Sequence, residues 1–152
     1  IMVRHMANEL GGMDKLKGKK LGLIHLDAPY GKEPIPVLEA LAKKYGFEVK
    51  LYPVAAADMQ NQGSLWLSIR RDRPDYLYNQ GWGAMNPTAV KEAIKNGFPI
   101  AKLVGVWWAG GDDDARAGGP EAKGYKSLNF NAAGSNFPVI QDILKHVVDK
   151  GK

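Results

Sequence analysis

Strand-like apolar runs and helix-period segments alternate along this chain about five times, and that rhythm limits the fold more than any single motif does. The run KLGLIHL (20–26) is almost continuously apolar, as in a strand covered on both faces. After the turn DAPYG, Leu38, Leu41, Ala42 and Tyr45 recur at helical spacing and stop at Gly46. FEVKLYPV (47–54) alternates apolar with polar residues, the pattern of a half-buried strand. A small-residue loop leads to a short helix carrying Leu65, Trp66 and Ile69, and Pro74-Asp75 introduces the strand YLYN. Asn86-Pro87 reads as an N-cap followed by proline at the first helical position. Ala89, Val90, Ala93 and Ile94 form that helix's apolar side, and Gly97 ends it. AKLVGVWW is the fourth strand and GYKSLNF the fifth. A last helix runs from about Phe137, with Val139, Ile140, Ile143, Leu144, Val147 and Val148 on its buried side. The pattern predicts a three-layer αβα sandwich around a mostly parallel five-stranded sheet of order 2-1-3-4-5, a Rossmann-like, flavodoxin-like single lobe.

The ends carry their own signal. Met2, Val3, Met6, Ala7 and Leu10 follow a helical period that stops at Gly11-Gly12, so the chain opens in what reads as the middle of a helix. The opening IMVRHMANEL has no h-region of a signal peptide. A piece of a longer protein is the expectation. No linker divides the 152 residues, and no apolar run approaches the roughly 20 residues of a membrane span.

Charge and composition exclude several functions. The formal charge is +5, but the lysines are spread, and the densest basic run, Arg70-Arg71-Asp72-Arg73, is interrupted by an acid. Solvated faces explain these charges better than a phosphate-tracking stripe, so no nucleic-acid partner is expected. Cysteine is absent, which removes disulfides, thiol catalysis and cysteine metal sites. Gly81-Trp82-Gly83 is only a GxG and follows the third strand, with an indole where a phosphate would need close backbone approach. His5, His25 and His146 share no metal spacing. His25 and Asp27 stand two apart and read as a structural hydrogen-bonded pair. No nucleophile elbow is present. Asp112-Asp113-Asp114 fits a helix cap and the helix dipole better than a cation site. No cofactor, metal or catalytic constellation is expected.

In open α/β sheets, ligands bind beyond the carboxyl ends of the strands, at the switch in strand order. Strands one, three and four are neighbours in the order above. The loops that follow them bring Tyr30, Trp82 with Gly83, and the Trp107-Trp108 pair towards one edge, an aromatic rim suited to an apolar or aromatic ligand body. Adjacent residues on a strand point to opposite faces. One of the two tryptophans is therefore expected to pack under a covering helix and the other to lean over the rim.

LKGKKLGLIHLDAPYGKEPIPVLEALAKKYGFEVKLYPV, RRDRPDYLYNQGWGAMNPTAVKEAIKNGFP, LVGVWWAGG and AKGYKSLNFNAAGSNFPVIQDI, in that order, resemble the substrate-binding proteins of branched-chain amino acid type ABC transporters, which are type I periplasmic binding proteins. The resemblance covers nearly the whole chain. It implies two similar lobes that close on a ligand, of which this chain matches the second. It also implies a periplasmic location and three partners: a small-molecule ligand, the membrane permease and the first lobe. By position, Tyr30 matches a cleft tyrosine and Trp82 an aromatic residue that packs on ligand. Trp107 falls about where amino-acid-binding relatives carry a glutamate that pairs with the ligand ammonium, which points to Trp107 as the ligand-facing one of the pair. Losing that carboxylate favours an aromatic or aliphatic carboxylic acid without an α-amino group over an amino acid, since a buried ammonium would lack a partner. The rival readings are a ligand-sensing domain of a transcription regulator or sensor, and a flavodoxin-like enzyme.

Overall fold

The computed structural model describes residues 1–130 and 135–148. Helix α1 (Met2–Leu10) buries Met2, Val3, Met6 and Ala7 and ends at Gly11, whose φ of 93° is left-handed. The Gly12 amide reaches back to the Ala7 carbonyl at 2.8 Å, so a backbone conformation that glycine adopts freely closes the helix. Strand β1 (Lys20–Leu26) follows, then the short helix α2 (Pro29–Lys32), α3 (Ile35–Tyr45), β2 (Glu48–Val54), α4 (Gly63–Asp72) and β3 (Tyr76–Gln80). Next come α5 (Met85–Lys95), β4 (Leu103–Gly105), α6 (Asp112–Arg116), β5 (Lys126–Ser127) and α7 (Pro138–Ile143).

The strands form one sheet of order β2-β1-β3-β4-β5, every pair parallel. Alternation along each strand sends residues to two separate cores. Leu21, Leu23, Tyr76 and Tyr78 pack with Met6, Leu16 and Leu38 on the α1–α3 side. Ile24 and Leu77 pack with Trp66, Ile69, Val90 and Ala93 on the α4–α5 side. Three αβα layers result, as the sequence pattern predicts.

Three sequence expectations change. Helix α5 begins two residues earlier than its cap signal suggests. Ala84 is the N-cap, and Asn86 is a buried helical residue rather than the cap. Pro87 remains within the first turn, where a missing N–H breaks no helical bond. Strand β4 is three residues long and β5 two, so the fourth strand ends before its tryptophans. The apolar side of the last helix is not buried: Val139, Ile143, Leu144, Val147 and Val148 are exposed, because no described sheet or helix lies opposite them. Residues 131–134, between the fifth strand and the last helix, and 149–152 lie outside the described residues.

A polar knot ties the first helix to the far side of the sheet. The Tyr76 hydroxyl donates to Glu9 Oε2 at 2.9 Å, and the Lys126 ammonium pairs with Glu9 Oε1. The lysine bond, more than any other contact, holds the Glu9 carboxyl below its ordinary range. A carboxyl depressed in the folded state stabilises the fold above its unfolded pKa of about 4.3 and loses that contribution as pH falls through the lower folded value. Glu9→Gln is therefore expected to cost about 0.5–1 kcal/mol at pH 7, given the partial exposure of the pair. The deficit should shrink below about pH 4. Urea unfolding of both proteins across pH checks this, and a deficit independent of pH would contradict the assignment.

Candidate functional site: an aromatic rim at the carboxyl edge

Three loops leave neighbouring strands at the carboxyl edge. After β1, the Ala28 amide donates to the Leu26 carbonyl at 2.8 Å, and the chain turns at once into α2. Asp27 lies beyond the strand end, so the two-residue alternation that would face it to His25 no longer applies. Asp27 instead pairs with Lys32 at 2.6 Å, which holds its carboxyl below the ordinary range. His25 Nδ1 faces the Leu26 carbonyl at 3.0 Å. The expected His25–Asp27 pair does not form. Tyr30 stands on α2, and its hydroxyl donates to the Gly81 carbonyl at 3.4 Å. Burial pushes that hydroxyl up to about 12.

The loop after β3 carries Trp82, which is 47% exposed. Gly83 follows with a left-handed φ of 51° and open space where a side chain would stand. The loop after β4 starts where a side chain cannot fit. A Cβ on Gly105 would lie 2.3 Å from the Tyr125 hydroxyl and 2.8 Å from Ala109. Without one, Tyr125 reaches over to donate to the Ala109 carbonyl at 2.7 Å. The Ala109 amide closes a tight turn onto Val106 at 2.8 Å. Trp107 and Trp108 therefore sit in a turn, not on a strand.

This overturns the split expected for the tryptophan pair. Trp107 is 41% and Trp108 44% exposed, and neither is core. Their rings stack with centroids 3.9 Å apart and planes at 29°. Trp108 also meets Trp82 at 4.9 Å, and Trp82 meets Tyr30 edge-to-face at 6.1 Å. On the other side Trp107 meets Phe130 at 5.3 Å. All four aromatic residues singled out in the sequence converge, with Gly83 beside them. Phe130 completes a run of five rings. It falls in the segment read as the fifth strand, and its only sequence signal is an aromatic residue just past a strand end.

Beside the run is an open cavity of about 410 Å³, bounded by Trp107, Phe130, Tyr78, Val106, Leu128 and Gln80, with Glu33 also in its lining. Its surface is mostly apolar with few polar groups, as small-ligand sites are. A larger cavity of about 820 Å³ lies between α1 and α3, lined by Arg4, His5 and Tyr45. It sits on helix flanks, away from the strand ends where ligands of such sheets bind, so the rim is the stronger candidate. The three aspartates occupy the first turn of α6. Gly111 is the N-cap, its amide donating to Asp114 Oδ2 at 3.2 Å, and Asp113 pairs with Arg116 at 2.9 Å. They serve the helix start, where acids complement the dipole. Among the described residues no three acids or histidines are placed to hold a metal ion, and no helix is long and apolar enough to cross a membrane.

The rim has rings, one hydroxyl and indole N–H groups, and no charged group within the run. It can stack a planar or apolar body and donate a few hydrogen bonds.

Comparison with known proteins agrees with this architecture. The family model for periplasmic binding proteins matches residues 2–152. A structure described as an ABC transporter permease from the Pseudomonas fluorescens group is 38% identical over 99% of this chain and 36% of its own length, with a TM-score of 0.86. A branched-chain amino acid ABC transporter protein from Thermus thermophilus with bound valine is 19% identical over 99% of this chain and 39% of its own, TM-score 0.73. An ABC transporter solute-binding protein from R. palustris in complex with benzoate is 22% identical over 95% and 39%, TM-score 0.67. The last two likenesses are of fold alone. This chain thus spans well under half the length of each of the three. Curated protein sequences give no significant match. The chain belongs to the periplasmic binding protein family.

Proposed function

We propose that this chain is the second lobe of a two-lobed solute receptor for an ABC importer, and that the aromatic rim is its half of the ligand cleft. The ligand is a small planar or aliphatic carboxylic acid without an α-amino group. The observation that carries this reading is the five-ring run at the carboxyl edge, in which no charged group takes part. A planar acid would lay its body against the rings of the run, with its carboxylate held by the other lobe. Binding would favour the closed form that both lobes share, and that form would dock on the permease at the outer face of the membrane. The benzoate held by the R. palustris protein is a ligand of this class.

One observation favours a second reading. Glu33 lines the cavity beside Trp107 and offers a carboxylate to an ammonium group, as an amino acid ligand would need. Calorimetric titration of the two-lobed protein with benzoate and with leucine separates the two. Tighter binding of benzoate is the expected result, and tight leucine binding without benzoate binding would overturn the acid reading. Trp108→Ala is expected to weaken benzoate by about 10- to 100-fold, since it removes the ring that joins both halves of the run. Because Trp108 is half exposed, its loss should lower stability by no more than about 1.5 kcal/mol.

A further inference from the structure

Behind the rings lies a buried polar pair. Asn79 near the end of β3 is 0% exposed, and Asn86 in the first turn of α5 is 1% exposed. Asn86 Nδ2 donates to the Trp108 carbonyl at 3.0 Å, and Asn79 Nδ2 donates to Asn86 Oδ1 at 3.2 Å. The direction of this relay is forced. The Trp108 carbonyl only accepts, so Asn86 must turn its amide nitrogen to it and its oxygen to Asn79. Asn79 must then present its own nitrogen. Its Oδ1 is left buried without a hydrogen-bond partner. An apolar pair of the same shape would remove that orphaned oxygen and forgo only the bond to the Trp108 carbonyl. Stability alone therefore does not account for the buried, unpartnered oxygen of Asn79.

Geometry accounts for them better. The Asn86 backbone amide donates to the Gly83 carbonyl at 3.1 Å, next to a Met85 amide that donates to the Trp82 carbonyl at 3.1 Å. One residue is thus bonded through its backbone to the Trp82 loop and through its side chain to the Trp108 loop. Gly81 leaves room for it: a Cβ there would lie 2.1 Å from Asn86 Oδ1 and 2.8 Å from Asn79 Oδ1.

We propose that Asn86 is a positioning residue that sets the spacing of Trp82 and Trp108, so that the rim is formed before any ligand arrives. A preformed rim spares the ligand the ordering of two loops. The effect on affinity rests on the reading of the rim as a ligand site, while the effect on the rings does not.

The test is the exciton couplet that closely packed indoles give in circular dichroism, measured on Asn86→Ala. Val90→Ala is the control: it opens the same buried side of α5 but belongs to neither the asparagine relay nor the five-ring run. The expected result is a couplet reduced by at least half in Asn86→Ala and retained in Val90→Ala. Calorimetry on the two-lobed protein should show benzoate affinity about tenfold lower for Asn86→Ala. A couplet retained in Asn86→Ala, or lost equally in Val90→Ala, would overturn the proposal. A lost couplet with unchanged benzoate affinity would support the positioning role and overturn the ligand reading instead. If Asn86→Ala does not fold, Asn86→Asp carries the same expectation at neutral pH, because it keeps the shape but removes the N–H that Trp108 accepts.

Discussion

Gly31→Ala is expected to destabilise the fold by about 3 kcal/mol, at the upper end of what an added methylene does in a packed core. The reason is what the new methyl group would meet. A Cβ at this buried position would lie 2.0 Å from the Leu26 carbonyl oxygen and 2.7 Å from the Leu26 carbonyl carbon and amide nitrogen. These are backbone atoms at the end of the interior strand β1. The Leu26 oxygen is already engaged by the Ala28 amide at 2.8 Å. Neither partner can rotate aside, so α2 must lift off the strand. Tyr30 precedes Gly31 on that turn and would move with it, losing its bond to Gly81 and its edge-to-face contact with Trp82. A stability loss and a disturbed rim should therefore appear together in urea unfolding and in tryptophan fluorescence. Wild-type stability in both would mean that α2 is not seated against β1.

The same position shows how far the sequence could be read. Glycine after tyrosine in DAPYG signals a turn, and the turn is there. What the glycine avoids is a carbonyl five residues back, which no local pattern reveals. The strand order was legible because apolar runs and helix periods alternate, and because parallel neighbours need covered faces. The convergence of Tyr30, Trp82, Trp107 and Trp108 followed from that order alone, since each stands just past a strand end. The paired tryptophans were misread because alternation holds only while the strand lasts. β4 stops at Gly105, where Tyr125 folds across the chain, a contact 20 residues away in sequence. Asn86 carried a cap signature that was genuine in composition and wrong by position. Its side chain faces inward to a carbonyl on another loop, and sequence spacing has no view of that. The last helix has a clear apolar side, but periodicity tells which residues seek cover and not whether cover is present.

Trp66→Ala is expected to cost about 3–5 kcal/mol, the largest loss of any single tryptophan substitution here. Trp66 is fully buried on α4, in the core beneath α4 and α5, and meets Phe98 edge-to-face at 6.3 Å. Truncation would leave a cavity the size of an indole between two helices and the sheet. It would also remove a donor, because Trp66 Nε1 donates to Gln62 Oε1 at 3.2 Å. Gln62 is itself buried, and its Nε2 donates to the Met59 and Met85 carbonyls, both at 2.9 Å. Met85 is the first residue of α5, one before Asn86. Trp66→Phe keeps most of the packing but loses the N–H and part of the ring, so about 1–2 kcal/mol is expected. Trp108→Ala, on the exposed rim, should stay below both Trp66→Ala and the usual range for buried aromatics. Urea unfolding of the three variants at matched m-value gives the ranking. If Trp108→Ala destabilised as much as Trp66→Ala, the rim would be core and would not be free to meet a ligand. If Trp66→Ala were mild, α4 would not be the wall that holds the start of α5 in place. The expected ranking puts stability in the tryptophan beneath the helices. It leaves the three at the carboxyl edge exposed and free for the ligand role proposed for them.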